Sequence, residues 1–154
     1  MKTLALLLAL LLTACASKDA FIPPQVETCQ PGSDIELNAG AGEGSDLPSG
    51  RAVILVEVAN NSDHTFTVES VRIEPMSRSD ERWFEVQGGS RDFNREIPEG
   101  EDALFEVPVT VRTRGMMDRG VGQRGVNASV PVAVTVKLTD GNSARCQFVI
   151  PMRF

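Results

Sequence analysis

Apolar and polar residues alternate along most of the chain after residue 50, and this alternation predicts β-strands. Residues 52–59 form a β-branched run that is apolar on both faces, as in a central buried strand. Residues 105–111 and 130–138 place valines on one face and polar residues on the other. Because helical periodicity is missing after residue 20, the pattern indicates an all-β chain.

Turn-forming residues separate these runs. Residues 60–63 (Asn-Asn-Ser-Asp) and 97–100 (Ile-Pro-Glu-Gly) have turn chemistry, and Asp140-Gly141 predicts a hairpin. About seven strands with turns roughly every 8–14 residues predict a two-sheet antiparallel β-sandwich.

Four irregular points modify this pattern. The apolar phase changes at Glu69-Ser70, which predicts a β-bulge or a crossing between sheets. Gly88-Gly89 is expected to end a short strand near Trp83, and residues 38–50 contain too much glycine for regular structure. Pro131 is expected at a strand start or on a sheet edge, because it has no N–H to donate.

The first residues have the features of a secretory leader. Lys2 precedes an apolar run at residues 4–12, which is too short to span a membrane. The following Leu12-Thr13-Ala14-Cys15 resembles the lipobox of bacterial lipoproteins. That resemblance implies cleavage before Cys15 and lipidation of its sulfur, whereas an ordinary signal peptide would leave Cys15 incidental.

The leader resemblance also implies a location and a division of the chain. Ala16 and Ser17 follow the cysteine where an Asp would retain a Gram-negative lipoprotein at the inner membrane. The expected protein is therefore anchored in the outer membrane and faces the periplasm. We divide the chain into a signal peptide (1–14), a lipidated tether (15–34) and a sandwich domain (35–154).

Two cysteines remain once Cys15 is assigned to lipid. An even pair in an exported chain predicts a disulfide between Cys29 and Cys146. Two buried thiols or a redox pair are the alternatives, although no CxxC spacing supports redox chemistry.

Two strand-turn segments resemble known sandwich domains. They are Val-Glu-Val-Ala-Asn-Asn-Ser at residues 56–62, and Ile-Pro-Glu-Gly-Glu followed by Val-Pro-Val-Thr-Val between residues 97 and 111. Together they are similar to bacterial immunoglobulin-like modules and to the sandwich domain of water-stress (late-embryogenesis-abundant) proteins. The resemblance implies an immunoglobulin-like fold and carries no function.

Charge and composition remove several functional classes. The chain has 21 acidic and 15 basic residues, a net charge of −6, which disfavours binding to nucleic acid. His64 is the single histidine and follows Ser62 and Asp63, but consecutive residues cannot align a catalytic triad. We therefore predict a non-enzymatic protein without cofactor or metal.

One acidic turn and one long loop carry the remaining candidate chemistry. Glu99, Glu101 and Asp102 could hold Ca²⁺ weakly, but a solvated acidic turn is favoured. The loop at residues 112–125 is longer than a hairpin needs, and its composition fits either a protein contact or a flexible glycine-rich linker. Its candidate contact residues are Arg114, Met116, Met117, Arg119, Val121 and Arg124.

These observations favour an envelope lipoprotein that binds or scaffolds another envelope protein through the 112–125 loop or an unpaired sheet edge. A periplasmic ligand or Cu(I) carrier is the first alternative, and it requires Met116, Met117 and His64 to converge. A desiccation protectant without a specific partner is the second alternative, which the water-stress resemblance implies.

Overall fold

The computed structural model describes residues 25–27, 29, 32–43, 50–76, 84–113 and 127–153, and these residues form nine strands. In chain order the strands are β1 (Gln25–Glu27), β2 (Ile35–Ala41), β3 (Arg51–Asn60), β4 (Phe66–Pro75), β5 (Phe84–Gln87), β6 (Gly89–Ile97), β7 (Asp102–Thr113), β8 (Asn127–Leu138) and β9 (Ser143–Arg153).

The strands form two sheets, with the orders β1-β9-β8-β4-β6 and β2-β3-β7-β5. All neighbouring strands are antiparallel except β1, which pairs with β9 in parallel. The order β2-β3-β7 matches that of strands A, B and E in immunoglobulin domains. In the other sheet, the order β9-β8-β4 matches that of strands G, F and C. The predicted all-β, immunoglobulin-like sandwich is confirmed, with nine strands in place of about seven.

The core lies between the inner faces of the two sheets, where alternate residues of the long strands are buried. On β7, Phe105, Val107, Val109 and Val111 are buried as their alternation predicts. The corresponding inner residues of β3 and β8 are Ala52, Ile54, Val56, Val58, Val130, Val132, Val134, Val136 and Leu138.

Strand β4 contains the predicted β-bulge. Its register against both neighbours shifts between Val68 and Ser70. The extra residue lets Val68 and Val71 both face the core, although three positions separate them. The predicted β-bulge is therefore confirmed, while the sheet crossing lies further along the chain.

Part of the predicted loop at residues 38–50 is wrong, because β2 extends to Ala41. Seven consecutive residues of β2 pair with β3 in unbroken register, from Ile35 opposite Asn60 to Ala41 opposite Ile54. The tertiary partner compensates for the low strand propensity of Ala39 and Gly40. Strand β1 likewise lies within the segment assigned to the tether.

The short strand ends at Gly88-Gly89 as expected, since β5 finishes at Gln87, and the chain passes directly to β6 in the other sheet. A Cβ on Gly88 would collide with the carbonyl of Ile73, and one on Gly89 with that of Pro108. Glycine is required here because the backbone approaches both sheets closely. Strand β6 lacks a sequence signal because most of its side chains are polar and exposed.

The end of β3 is fastened to two turns by a buried amide. Asn60 is 0% exposed, and its Nδ2 donates to the carbonyls of His64 (2.8 Å) and Ile97 (2.9 Å). Its Oδ1 accepts from the backbone N (3.0 Å) and the hydroxyl (2.6 Å) of Ser62. The buried amide therefore has a partner for each of its polar atoms, as burial requires.

The predicted hairpin at Asp140-Gly141 agrees with the structure. Leu138 N donates to Asn142 O (2.9 Å) around Asp140-Gly141, and Gly141 has a φ of 90°. The prediction that Pro131 begins a strand or lies on an edge strand is wrong, because it is the fifth residue of the central strand β8. It is accommodated there because the pairing of β8 with β4 begins only at Val132.

Candidate functional site

Strand β2 forms one edge of the four-stranded sheet, and its hydrogen bonds define which backbone groups face outward. Gly42 N donates to Val53 O, and Asn61 N donates to Asp34 O, both at 2.8 Å. Because antiparallel pairing alternates along a strand, the even-numbered residues of β2 bond to β3. Ile35, Leu37, Ala39 and Ala41 therefore turn their N–H and C=O groups away from the sheet.

Two of these outward groups have local partners. The hydroxyl of Ser33 donates to Ile35 O (3.0 Å), and the side-chain Oδ1 of Asn38 accepts from Ala39 N (2.9 Å). Within the described part of the chain, the outward groups of Leu37 and Ala41 and the carbonyl of Ala39 have no hydrogen-bond partner. We call this row, from Leu37 to Ala41, the open edge.

A shallow depression adjoins the open edge on the outer face of the sheet. Gly40 has nothing within 4 Å of where a Cβ would lie, and the space above it has a volume of about 150 Å³. Leu55 and Leu104 provide apolar walls, and Leu104 is 53% exposed. The exposed Glu57 adds a carboxylate, whose Oε2 lies 3.5 Å from Asn38 Nδ2.

The opposite edge of this sheet is formed by β7 beyond the end of β5. Val111 N donates to Gly50 O (2.8 Å), so the odd-numbered residues of β7 bond to β3. The even-numbered residues face the other way, and β5 pairs only with residues 110–113. The outward row of Leu104, Glu106 and Pro108 is called the covered edge.

Strand β6 supplies partners to the covered edge. Arg95 Nη1 donates to Leu104 O and Arg91 Nη1 donates to Glu106 O, each at 3.3 Å. Gly89 lies directly against the carbonyl of Pro108, and Pro108 has no N–H to leave unpaired. Charged side chains and proline on an edge are the usual means of preventing strand addition.

Aromatic rings hold the two arginines in position. The guanidinium of Arg91 lies 5.2 Å from the ring centre of Phe93, and that of Arg95 lies 5.6 Å from that of Phe105. The two rings meet edge to face with centres 4.7 Å apart. These cation–π and aromatic contacts restrict the arginine side chains to the geometry that covers β7.

The outer edge of β9 is open over a shorter length. Leu138 N donates to Asn142 O, so the odd-numbered residues of β9 face outward. Strand β1 pairs with residues 143–145, and Pro151 offers no N–H. The uninterrupted interval at residues 147–149 is shorter than the open edge of β2, and the backbone of Arg153 also faces outward beyond Pro151.

The structure joins the two cysteines that the sequence paired. Cys29 and Cys146 form a disulfide with a Cα–Cα distance of 5.4 Å. It lies beside the pairing of β1 with β9, so it fastens β1 to the five-stranded sheet. Cys15, Trp83 and the candidate contact residues at 114–124 lie outside the described residues.

The residues considered for catalysis lie in an exposed turn. His64 Nδ1 lies 3.0 Å from Asp63 Oδ1, and their side chains are 68% and 98% exposed. The hydrogen bond with His64 lowers the pKa of the Asp63 carboxyl. Ser62 directs its hydroxyl at Asn60 Oδ1 (2.6 Å), so these three residues do not form the hydrogen-bonded chain of a triad.

The structure describes the acidic turn considered for Ca²⁺, but only part of the residue set considered for Cu(I). Glu99, Glu101 and Asp102 are exposed, and in the described part of the chain no three His, Cys, Asp or Glu side chains cluster as metal ligands would. The convergence of His64 with Met116 and Met117 involves residues outside those described.

Sequence reasoning had named an unpaired edge as a contact element without locating it. The open edge was missed because its residues fell within the predicted glycine-rich loop. The one available signal was the run apolar on both faces at residues 52–59, which requires a strand neighbour on each side.

Comparison of the chain with protein-family models and with curated protein sequences found no match. Among the residues that the structure describes, no helix is long and apolar enough to cross a membrane. The fold is an immunoglobulin-like β-sandwich, and among the described residues the edge of β2 carries a row of unpaired outward backbone groups.

Proposed function

We propose that this chain is a non-enzymatic envelope lipoprotein that binds another envelope protein by accepting an extended segment at the open edge of β2. The open edge is the observation that carries this proposal. A partner strand there would satisfy the outward groups of Leu37 and Ala41 and the carbonyl of Ala39, the mode known as β-augmentation.

The contrast between edges supports this choice of surface. Arg91 and Arg95 cover one edge of the same sheet, and β1 and Pro151 shorten the edge of β9. An uncovered edge exposes a protein to unwanted pairing. The uncovered row on β2 is consistent with use by a partner.

The membrane anchor rests on the leader sequence. The lipobox resemblance at residues 12–15 supports lipidation of Cys15, and Ala16 and Ser17 support placement in the outer membrane. Thirteen residues separate Cys15 from Cys29, a reach of at most roughly 45 Å. The disulfide from Cys29 to β9 would therefore keep the sandwich near the membrane and its partner.

The 112–125 loop is proposed as a second contact. It connects the end of β7 to the start of β8, and the sequence places Arg114, Arg119 and Arg124 in it. Arginine is enriched in protein interfaces, so an anionic surface of the same partner is the expected neighbour.

Crosslinking in the native envelope, followed by mass spectrometry of the attached chains, tests this function. The wild type is compared with Ala39→Pro, with Ala39→Ser as the matched control, and with the triple alanine variant of Arg114, Arg119 and Arg124. We expect one defined partner that is retained by Ala39→Ser and lost or strongly reduced in Ala39→Pro. Loss in the triple variant would add the loop to the interface.

A lipid-anchored unrelated domain provides the background. If the wild type enriches no chain above this control, the adaptor function is wrong. The N-terminal peptide is measured in the same samples. Its mass must carry the added acyl groups on Cys15, and an unmodified cysteine would contradict the anchor.

A further inference from the structure

We infer that the open edge selects a basic strand: the added segment places an Arg or Lys side chain across Gly40 toward Leu55, with its charge at Glu57. This inference rests on the proposed function, because it names the chemistry of the partner at the same edge.

The alternation of β2 defines which partner side chains meet which surface. Leu37 and Ala39 lie on the inner face, where Leu37 is buried and Ala39 packs against the core. Glu36, Asn38 and Gly40 alternate with them on the outer face. An added strand therefore places one set of side chains beside the core, and the other set beside Glu36 and the depression above Gly40.

The inner positions favour small or β-branched apolar residues. Ile35 and Ala39 are only partly buried at the sheet edge, and both pack against the core. A neighbouring apolar side chain would remove more of their surface from water. Valine, isoleucine or threonine suit such positions, since they fit a pleated half-buried surface.

The outer position opposite Gly40 favours a long side chain. Glycine leaves the surface of Leu55 uncovered, and the depression of about 150 Å³ matches one side chain better than a larger ligand. A side chain that crosses a neighbouring glycine replaces the missing cross-strand contact. An aliphatic chain of four carbons can cross Gly40 toward Leu55 while its end stays in water.

The charge at the end of that side chain follows from its neighbours. Glu57 forms part of the depression, and Glu36 lies on the same outer face of β2. The acidic Asp102 and Glu106 of β7 are exposed on this face too, while Arg91 and Arg95 lie at the edge of β7 that faces away from β2. A positive group is attracted by this set, and a negative group is repelled.

The same charges disfavour pairing of β2 with β2 of a second copy. Such a dimer would bring two acidic faces together, and each chain carries a net charge of −6. No basic residue occurs in β2 to offset them. A basic partner strand suits this edge better than a second molecule of the chain.

Two synthetic peptides with blocked ends test the inference. Both have the sequence Thr-Val-Thr-Val-X-Val-Thr-Val-Thr, with Arg at X in one and Glu in the other, and carry a fluorescent label. Binding is measured by anisotropy with the disulfide-bonded domain, and amide chemical shifts locate the peptide. A third peptide has Arg at X and N-methyl groups on alternate residues, which removes the donors that pair with β2.

We expect the Arg peptide to bind and to shift the amides of β2, while the Glu and N-methylated peptides bind at least tenfold more weakly. Glu57→Gln should weaken the Arg peptide roughly two- to fivefold, the range that an exposed ion pair supplies. Glu57→Lys should reverse the preference between the Arg and Glu peptides. Glu85→Gln, on β5 of the same sheet, is the matched control and should leave both unchanged.

Three results would overturn the inference. Equal binding of the Arg and Glu peptides, or no response to Glu57→Lys, would remove the basic preference while leaving strand addition itself intact. Binding that survives both Ala39→Pro and Ala41→Pro would place the peptide elsewhere. A dimer of the wild type in analytical ultracentrifugation that Ala39→Pro abolishes would assign the edge to a second copy.

Discussion

The two edges of the four-stranded sheet belong to the same structural layer but differ in how their outward backbone groups are satisfied. On β7, Arg91 and Arg95 reach the outward carbonyls of Glu106 and Leu104 from a strand of the other sheet. On β2, Ser33 and Asn38 also satisfy two groups, but through contacts within or next to the strand itself. The difference teaches that contacts from distant parts of the fold, such as the arginines of β6, close an edge together with the proline of the edge strand itself.

Breaking the disulfide is expected to have the largest effect on stability. The bridge fastens β1, which covers part of the edge of β9. Its loop spans 117 residues, for which chain entropy gives about 4.7 kcal/mol. Cys29→Ser should lower the free energy of unfolding by roughly 2–5 kcal/mol in urea denaturation. The reduced wild type should match it, and equal stability with and without reductant would contradict a structural bridge.

Proline substitutions test directly which groups of β2 face outward. Gly40→Pro removes an N–H that bonds to β3, so it should cost about 1–3 kcal/mol. Ala39→Pro removes an N–H that faces away from β3 and should cost less than about 1 kcal/mol. Thermal or urea unfolding measures both, with Gly40→Ala and Ala39→Ser as controls. Equal losses in the two proline variants would contradict the assigned direction of the β2 hydrogen bonds.

Removing the arginines should convert the covered edge into a second open one. Arg91→Ala combined with Arg95→Ala should lower the free energy of unfolding by roughly 1 kcal/mol, because the contacts are solvent-exposed. We also expect greater self-association by sedimentation velocity, since outward carbonyls of β7 become available. Arg112→Ala, an exposed arginine on β7, is the control. Unchanged association in the double variant would mean that β6 covers the edge without these side chains.

The smallest effect concerns the exposed pair of Asp63 and His64, which lies in the β3–β4 turn, away from the carbonyls of β7. The hydrogen bond with His64 lowers the pKa of Asp63 below its usual value of 3.8. A lowered carboxyl pKa contributes stability above pH 3.8 that is lost as the pH falls through the folded-state pKa. Carboxyl chemical shifts during an NMR titration should show this lowering, and His64→Ala should remove it. A pKa of Asp63 that His64→Ala leaves unchanged would contradict the assigned cause.

Much of the sandwich could be predicted from local patterns. The alternation at Phe105–Val111 identifies the buried face of β7, because side chains of a strand alternate between core and solvent. The change of phase between Val68 and Val71 located the bulge for the same reason. Two cysteines remain once Cys15 is assigned to lipid, which suggested the pair Cys29 and Cys146 that the structure joins.

The strands that escaped prediction are the edge strands. Strand β6 is mostly polar because it buries little, so its sequence resembles a loop. Strand β2 contains Ala39 and Gly40, whose low propensity is overcome by pairing with β3 along its whole length. Edge strands have one neighbour and little buried surface, and local sequence therefore constrains them least.

The sequence by itself determined the fold class, the inward face of each central strand and the positions of the turns, because these depend on residues adjacent in the chain. The tertiary structure alone decided which edges are covered. Arg91 meets the carbonyl of Glu106 only because the chain crosses between sheets at Gly88-Gly89. The open edge of β2 and the depression above Gly40 likewise depend on the register with β3 and β7. Contacts between distant segments follow from packing of the whole core, which no local pattern encodes.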